Sequence, residues 1–568
     1  MKKVPRRRFG RTNLMMPVIS CGGMRLQETW VPHEGFGMKD VRKDSMMNMT
    51  KTIRAAMNSG INHFETAQGY GCSELMYGTA FKMMFSSGEI KSREDIILQT
   101  KVKPCATEKE FRELLEKSLR SLDLEGNGIK YIDLMSLHGI NKPNQLEWAV
   151  KFCIPVLKEY QKKGIIKWIG FSTHAMTDII LKAIKTNHFD YINLHYHFIG
   201  SYTASGSSED GNDNLSALRE AKRRDMGVFV ISAQDKGGML YKPPEKFVKL
   251  TKPLTPMQFN TLYLLGLQDE DNAYLIHTLV VGAARPSDFQ EHVRAVTCDV
   301  SVNKLVKKAT EALRSEFLRV HGEDWGSKWY VGLPDCYKNK YGIHVCMIVW
   351  LWNITKAWGL LHYARGRYAF MEDNAKKWSL ETSLKPEEKM SKLFDWNPGC
   401  ALLDENSVPD LSKYLTNCKV KSPKQIESLL RDAHRMFAKD APSRFGDKKW
   451  DELVHSLSAK FAFDLQKGDV PIPDRPNCAR PRDVLGIWKD GSLSLELRTD
   501  ATWTWREQKT VLSGIWKCHV GNVDTKSQQI ELISNVGPFR IDGKSTMFLQ
   551  KSRGENVLIG SDIRFEKQ

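Results

Sequence analysis

Between positions 17 and 282 the chain repeats one pattern: a short apolar, β-branched run, then a longer stretch with one apolar face. The runs are PVISCGG (17–23), INHFET (61–66), DIILQTK (95–101), YIDLMSLH (131–138), IKWIGFS (166–172), YINLHYH (191–197), GVFVISA (227–233) and IHTLVVG (276–282). Segments between them, such as EKEFRELLEKSLRSL (108–122) and NLSALREAKRRDM (214–226), place apolar residues three or four apart, as a helix covering a sheet does. Near-continuous apolar strands alternating with helices predict a parallel sheet buried on both faces. Eight such runs over this length predict an α/β fold, the (β/α)8 TIM barrel. An open doubly wound sheet is disfavoured, because no G-x-G-x-x-G follows the first run. Two long connections, 25–43 and 200–213, follow the first and sixth runs, at the strand ends where barrels build their active sites.

The pattern then changes twice. From about 302 to 467 it is mainly helical, most clearly in VNKLVKKATEALRSEFLRV (302–320) and PKQIESLLRDAHRMFAKD (423–440). Trp325, Trp329, Trp350, Trp352 and Trp358 fall here at helical spacing, which predicts a packed core rather than a ligand site. The most apolar stretch, VCMIVWLW (345–352), is far too short to span a bilayer. GDVPIPDRPNCARPRD (468–483) reads as a linker. Beyond it the period becomes two, in Leu493, Leu495 and Leu497 and again in Trp503 and Trp505. The expected organisation is a barrel over 1–300, a mainly helical extension over 301–467, a proline-containing linker over 468–483, and a small antiparallel β-barrel or sandwich over 484–568. This last segment resembles lipocalin-like modules through GIW…LSLELRTDATWTW…GIW.

Composition narrows the partners. A net charge of +17 over 568 residues favours anions, phosphates among them, but no nucleic-acid-binding signature accompanies it, so nucleic acid is not expected. Eleven cysteines, scattered from Cys21 to Cys518 with no C-x-x-C pair, argue against a zinc ribbon or an iron–sulfur run, and no metal site is expected. Their odd number fits a reducing compartment. The basic start, MKKVPRRRFGRTNLMM, lacks the apolar core of a secretory signal. A cytoplasmic protein without a membrane segment is expected, with organelle import from the basic start left open.

Candidate chemistry gathers at the C-terminal ends of the runs. Glu65 closes the second, Tyr70 lies just beyond it, Lys101 ends the third and His138 ends the fourth. In a barrel all four converge on one pocket. A carbonyl that accepts hydride develops oxyanion charge and needs a proton donor within hydrogen-bond reach. Tyr70 suits that role. An adjacent Lys101 ammonium is expected to lower its pKa, with Glu65 holding the lysine and His138 orienting the substrate oxygen. The hydride has to come from a cofactor.

FGRTNLMMPVISCGGM, INHFETAQGYGCSE, LQTKV, DLMSLHG, GFSTH and VVGAARPSDFQEH resemble, in order, the successive motifs of aldo-keto reductases over residues 6–296. ISAQDKGGMLY and HGEDWGSKWYVGLP resemble a branch of predicted reductases whose relatives often carry a ferredoxin-like tail. The cysteine clusters of such a tail are absent, so no iron–sulfur cofactor is expected. The resemblance implies that Tyr70, Lys101 and His138 support carbonyl reduction, with Glu65 standing where most of the family has aspartate. It implies backbone donors at Gly282, Ala283 and Ala284 and a charge at Arg285 for the cofactor phosphate, which favours NADPH over NADH. Ser172 and Asn193 match positions that hold the nicotinamide amide. The family's stacking tyrosine is replaced by Ile231 or Ser232, and its usual asparagine by His292. The leading expectation is an NADPH-dependent oxidoreductase that reduces an aldehyde or ketone, with Tyr70 as proton donor and a small carbonyl compound as partner. The alternative is an NADPH-binding sensor or scaffold with little turnover, suggested by the long extensions and by Glu65.

Overall fold

A computed structural model describes residues 3–438, apart from 27, 30, 31, 125, 127, 128, 200–213, 299–301 and 407, together with backbone strands within 486–567. The chain divides into two compact units, Met1–Pro442 and Ser443–Gln568.

In the first unit each of the eight apolar runs supplies one parallel strand. After a short hairpin, β1 (Arg6–Arg8) and β2 (Met15–Pro17), they are β3 (Ile19–Gly22), β4 (His63–Glu65), β5 (Ile97–Val102), β6 (Ile132–His138), β7 (Ile166–Ser172), β8 (Tyr191–Leu194), β9 (Gly227–Val230) and β10 (Thr278–Gly282). They close in chain order, β10 returning to β3. Nearly every strand residue is buried, because helices cover the outside and side chains fill the inside.

The hairpin plugs one end of the barrel. Phe9 is fully buried and packs its ring 4.5 Å from that of Phe229, in a cluster with Ile97 and Tyr191 near the strand starts. Gly227, the first residue of β9, makes room for it: a Cβ there would lie 2.4 Å from the Phe9 ring. Above this floor runs a buried polar layer. Gln99 Nε2 donates to Ser136 Oγ (3.1 Å) and to Asn193 Oδ1 (3.0 Å), and Ser136 pairs with the Tyr191 hydroxyl (2.9 Å).

The predicted helical segments fold as the helices Val302–His321 and Pro423–Phe437, the latter begun by a reciprocal cap between Ser422 and Gln425. VCMIVWLW lies within the buried helix Val345–Trp358. Of the five tryptophans expected to form core, Trp325, Trp329, Trp350 and Trp358 are buried and Trp352 is half-buried: Trp329 stacks on Trp350 at 5.0 Å, and the Trp358 indole donates to Leu313 O at 3.0 Å. Among the described residues no helix is long and apolar enough to cross a membrane.

This helical region packs directly on the barrel. Phe198 and Phe247 meet Trp358, Lys246 pairs with Glu316 at 2.7 Å, and the Tyr363 hydroxyl donates to Lys236 O at 2.6 Å. Both segments therefore lie in one compact unit, with no division near residue 300.

In the second unit eight strands, from Gly486–Asp490 to Arg564–Lys567, pair antiparallel with their chain neighbours, and the last pairs with the first. The linker expected at 468–483, and the connection at 200–213, lie outside the described residues.

Candidate active site

Strand parity builds the site. Alternate residues of a strand face one side, so His63 and Glu65, Gln99 and Lys101, Ser136 and His138, Ser172, and Asn193 all point into the barrel. Register aligns them: Glu65 lies beside Gln99, Lys101 beside Ser136, His138 beside Ser172, and Ser172 beside Asn193. The four residues expected to converge do so.

Lys101 is buried and in direct contact with Glu65 Oε1, while its ammonium also donates to Thr66 O at 2.7 Å. The Tyr70 hydroxyl donates to the same Glu65 Oε1 at 3.4 Å, and Lys101 Nζ lies 4.5 Å from the Tyr70 ring centroid. His138 stands perpendicular to the Tyr70 ring, 5.5 Å between centroids.

Burial dominates the electrostatics here. It lowers the Lys101 pKa, against which the touching carboxylate works, and it raises that of Tyr70. This corrects the expectation that the ammonium brings the Tyr70 pKa down: desolvation of the buried hydroxyl outweighs the lysine charge. His138 is held neutral, its pKa pushed down to about 3 by burial and then by the Lys101 charge. At neutral pH the site thus presents a protonated phenol and a neutral imidazole.

Ser172 and Asn193 lie one strand and two strands beyond His138. Ser172 Oγ accepts from Gly139 N at 3.1 Å. Asn193 Nδ2 is buried without a hydrogen-bond partner among the described residues. Ser232, just past β9, is half-buried with φ +52°, and Ile231 N is tied to Leu194 O.

The loop after β10 departs from the expected set of free donors. Gly282 is exposed, but Ala283 N donates to Val281 O (3.0 Å) and Ala284 N to Asp288 Oδ2 (2.9 Å). Arg285 Nε donates to the other oxygen of that carboxylate at 2.7 Å. Asp288 therefore fills a small anion cradle made by the Ala284 amide and the Arg285 guanidinium. His292 faces away from it, buried against Thr261 at 3.0 Å.

Two groups near the site went unnoticed in the sequence. His174, His195 and His197 form a ring-to-ring hydrogen-bonded chain, with His195 2.8 Å from His174 and 3.3 Å from His197. Their signal was the continued alternation 193, 195, 197 past the end of β8. Asn141, just after β6, accepts from His174 N at 2.7 Å and donates to Asp395 of the helical region at 2.7 Å. Among the described residues no group of three or more histidine, cysteine or acidic side chains is arranged to hold a metal ion.

Comparison with known proteins follows from this geometry. Among curated proteins none matches the chain. Of solved structures, the thermostable aldo-keto reductase Tm1743, crystallised with the inhibitor epalrestat, aligns with TM-score 0.41 and 19% identity over 54% of this chain and 99% of its own. An aldo-keto reductase of Bombyx mori (AKR2E4), crystallised with NADP, aligns with TM-score 0.37 and 15% identity over 55% of this chain and 94% of its own. Residues 18–239 match the model of the Aldo/keto reductase family.

Proposed function

We propose that the barrel is an NADPH-dependent oxidoreductase that reduces an aldehyde or ketone, with Tyr70 as the proton donor. The observation that carries this reading is the shared contact of Tyr70 and Lys101 with one buried carboxylate oxygen of Glu65, with His138 alongside. The match of residues 18–239 to the Aldo/keto reductase model supports NAD(P)H-dependent carbonyl chemistry in general.

The residues present suit the cofactor. The orphaned Asn193 amide and the Ser172 hydroxyl match the donor and acceptor of a carboxamide. The cradle around Asp288 already binds one anion, and Arg285 has the fork that matches a phosphate. Gly282, Ala283 and Ala284 line the same loop. A bound nicotinamide dinucleotide supplies the hydride. The protein's part is to hold the carbonyl oxygen between Tyr70 and His138. The neutral imidazole donates a hydrogen bond and the phenol surrenders its proton as negative charge develops on that oxygen. Burial keeps Tyr70 protonated at neutral pH, so the hydroxyl that faces the carbonyl oxygen carries the proton to be given. Lys101, fixed by Glu65, places a positive charge beside the phenolate that remains.

The ETAQGYG form around Glu65 supports placement in the branch of predicted reductases named above. The test is consumption of NADPH by the full-length protein with a panel of aldehydes, ketones and quinones. Turnover of at least one class is expected. Tight NADPH binding with no turnover across the panel favours the sensor reading instead.

A further inference from the structure

The helix Leu361–Leu380, from the helical region, turns one face toward the barrel's C-terminal strand ends. Tyr363, Arg367 and Phe370 share that face, being four and then three residues apart. Tyr363 is anchored on Lys236 O, in the loop after β9. Phe370 packs its ring 4.9 Å from Trp396, and Lys236 Nζ lies 5.2 Å from the Trp396 ring. Arg367, only 5% exposed, lies 5.3 Å from the Phe370 ring and donates to the Asn397 amide oxygen.

These side chains stand next to the site described above. His174, bonded to His195, lies near Lys236, His138 and Arg367, and its pKa is lowered by burial first and then by the charges of Lys236 and Arg367. Arg367 also acts on Lys236, whose pKa falls to about 7 through burial first and then that repulsion, with Asp235 opposing. The Asp235 carboxylate also accepts from the Tyr241 hydroxyl at 2.7 Å, and that of Asp395 is held by Asn141. Two basic side chains from different parts of the chain thus meet around the Phe370–Trp396 pair, beside a row of neutral imidazoles. Trp396 and Phe370, packed edge to face, remain 42% and 40% exposed at the edge of this cluster, so an aromatic pair meets solvent beside the two basic groups.

We propose that Arg367 and Lys236 recognise a carboxylate on the carbonyl substrate, with the exposed face of the Phe370–Trp396 pair against its apolar body. The helical region is then part of the substrate site, and the preferred substrates are carbonyl compounds bearing an acid group. This rests on the reductase reading. An Arg–carboxylate contact is the charge-assisted, geometrically specific kind, and a ligand reaching the cluster exchanges with the partners these cations hold within the protein.

The experiment compares 4-carboxybenzaldehyde with its methyl ester, using full-length protein and NADPH. The acid is expected to have a kcat/KM at least about tenfold higher, mostly through KM, the lower end for one charge-assisted hydrogen bond. Arg367→Met and Lys236→Gln should each shrink that ratio, and Arg367→Lys should keep part of it. Equal kcat/KM for acid and ester in the parent protein overturns the proposal, as does an Arg367→Met protein that loses both substrates in proportion. A second measurement does not need turnover. Benzoate is expected to raise the thermal unfolding midpoint of the NADPH-loaded parent where benzamide does not, and Arg367→Met to abolish the difference. If neither aldehyde is reduced while benzoate still stabilises, the reductase reading fails and the carboxylate site stands. If benzoate and benzamide act alike, the carboxylate site falls whatever the turnover.

Discussion

Tyr70 and Lys101 meet at a single atom: the phenol donates to Glu65 Oε1 from 3.4 Å, and the lysine ammonium is pressed against the same oxygen. One buried carboxylate thereby sets the position of both the phenol and the cation beside it.

Tyr70→Phe should leave the fold and NADPH affinity nearly intact, since the ring still packs against His138 and only a hydroxyl goes. Carbonyl reduction should fall by at least about 10²-fold, the lower end for a positioned acid. Lys101→Met should also slow reduction, and the double variant should be little worse than the poorer single one, because the groups act together. Steady-state rates for the three variants decide this; normal turnover in Tyr70→Phe removes Tyr70 from the mechanism.

Arg285 governs cofactor choice on this reading. The unaltered protein should bind NADPH more tightly than NADH, and Arg285→Ala should narrow the gap by about tenfold to hundredfold, the worth of a charge-assisted bond to phosphate. Fluorescence titration with both cofactors measures it. Equal affinities in the unaltered protein refute the role given to Arg285.

Acid should destabilise the barrel through His63. Both its ring nitrogens are buried without hydrogen-bond partners among the described residues, and its ring stacks on Phe229 at 4.9 Å. Burial, and then the charge of Lys101, push its pKa from 6.5 down to about 3. The unfolded chain therefore takes up a proton near pH 6.5 that the folded barrel refuses until about 3, and stability is lost as pH falls between them. From pH 7 to 5 this one group costs about 2 kcal/mol. Urea midpoints at pH 7 and pH 5 should differ less in His63→Phe, which keeps the stacked ring, than in the parent. Parallel losses in both proteins would assign the acid sensitivity to other groups.

What the sequence revealed follows from what periodicity records. Strands of a parallel barrel are buried on both faces, so their runs stand out as continuous apolar stretches, and all eight appear where expected. Parity at the strand ends then brings Glu65, Lys101 and His138 together. Periodicity does not say what a helix face meets. Tyr363, Arg367 and Phe370 are visible as a stripe, but their approach to Lys236 depends on how the helical region docks, a contact between residues more than a hundred positions apart. Nor does it weigh desolvation against charge, which is why the Tyr70 pKa moves up rather than down. The capture of the Ala284 amide by Asp288 is a local side-chain choice that the VGAARPSDFQEH motif leaves open.

The plug formed by Phe9 has a kinetic corollary. Among the described residues an aromatic side chain seals the strand starts, so a ligand on Ser172 and Asn193 enters from the opposite end, the side on which Phe370 and Trp396 form an aromatic rim. Whatever rests on Ser172 and Asn193 is overlaid by whatever lodges under the rim. On the reductase reading, the two guests must therefore enter in a fixed sequence and depart in the reverse one, and an excess of the second guest would trap the spent first.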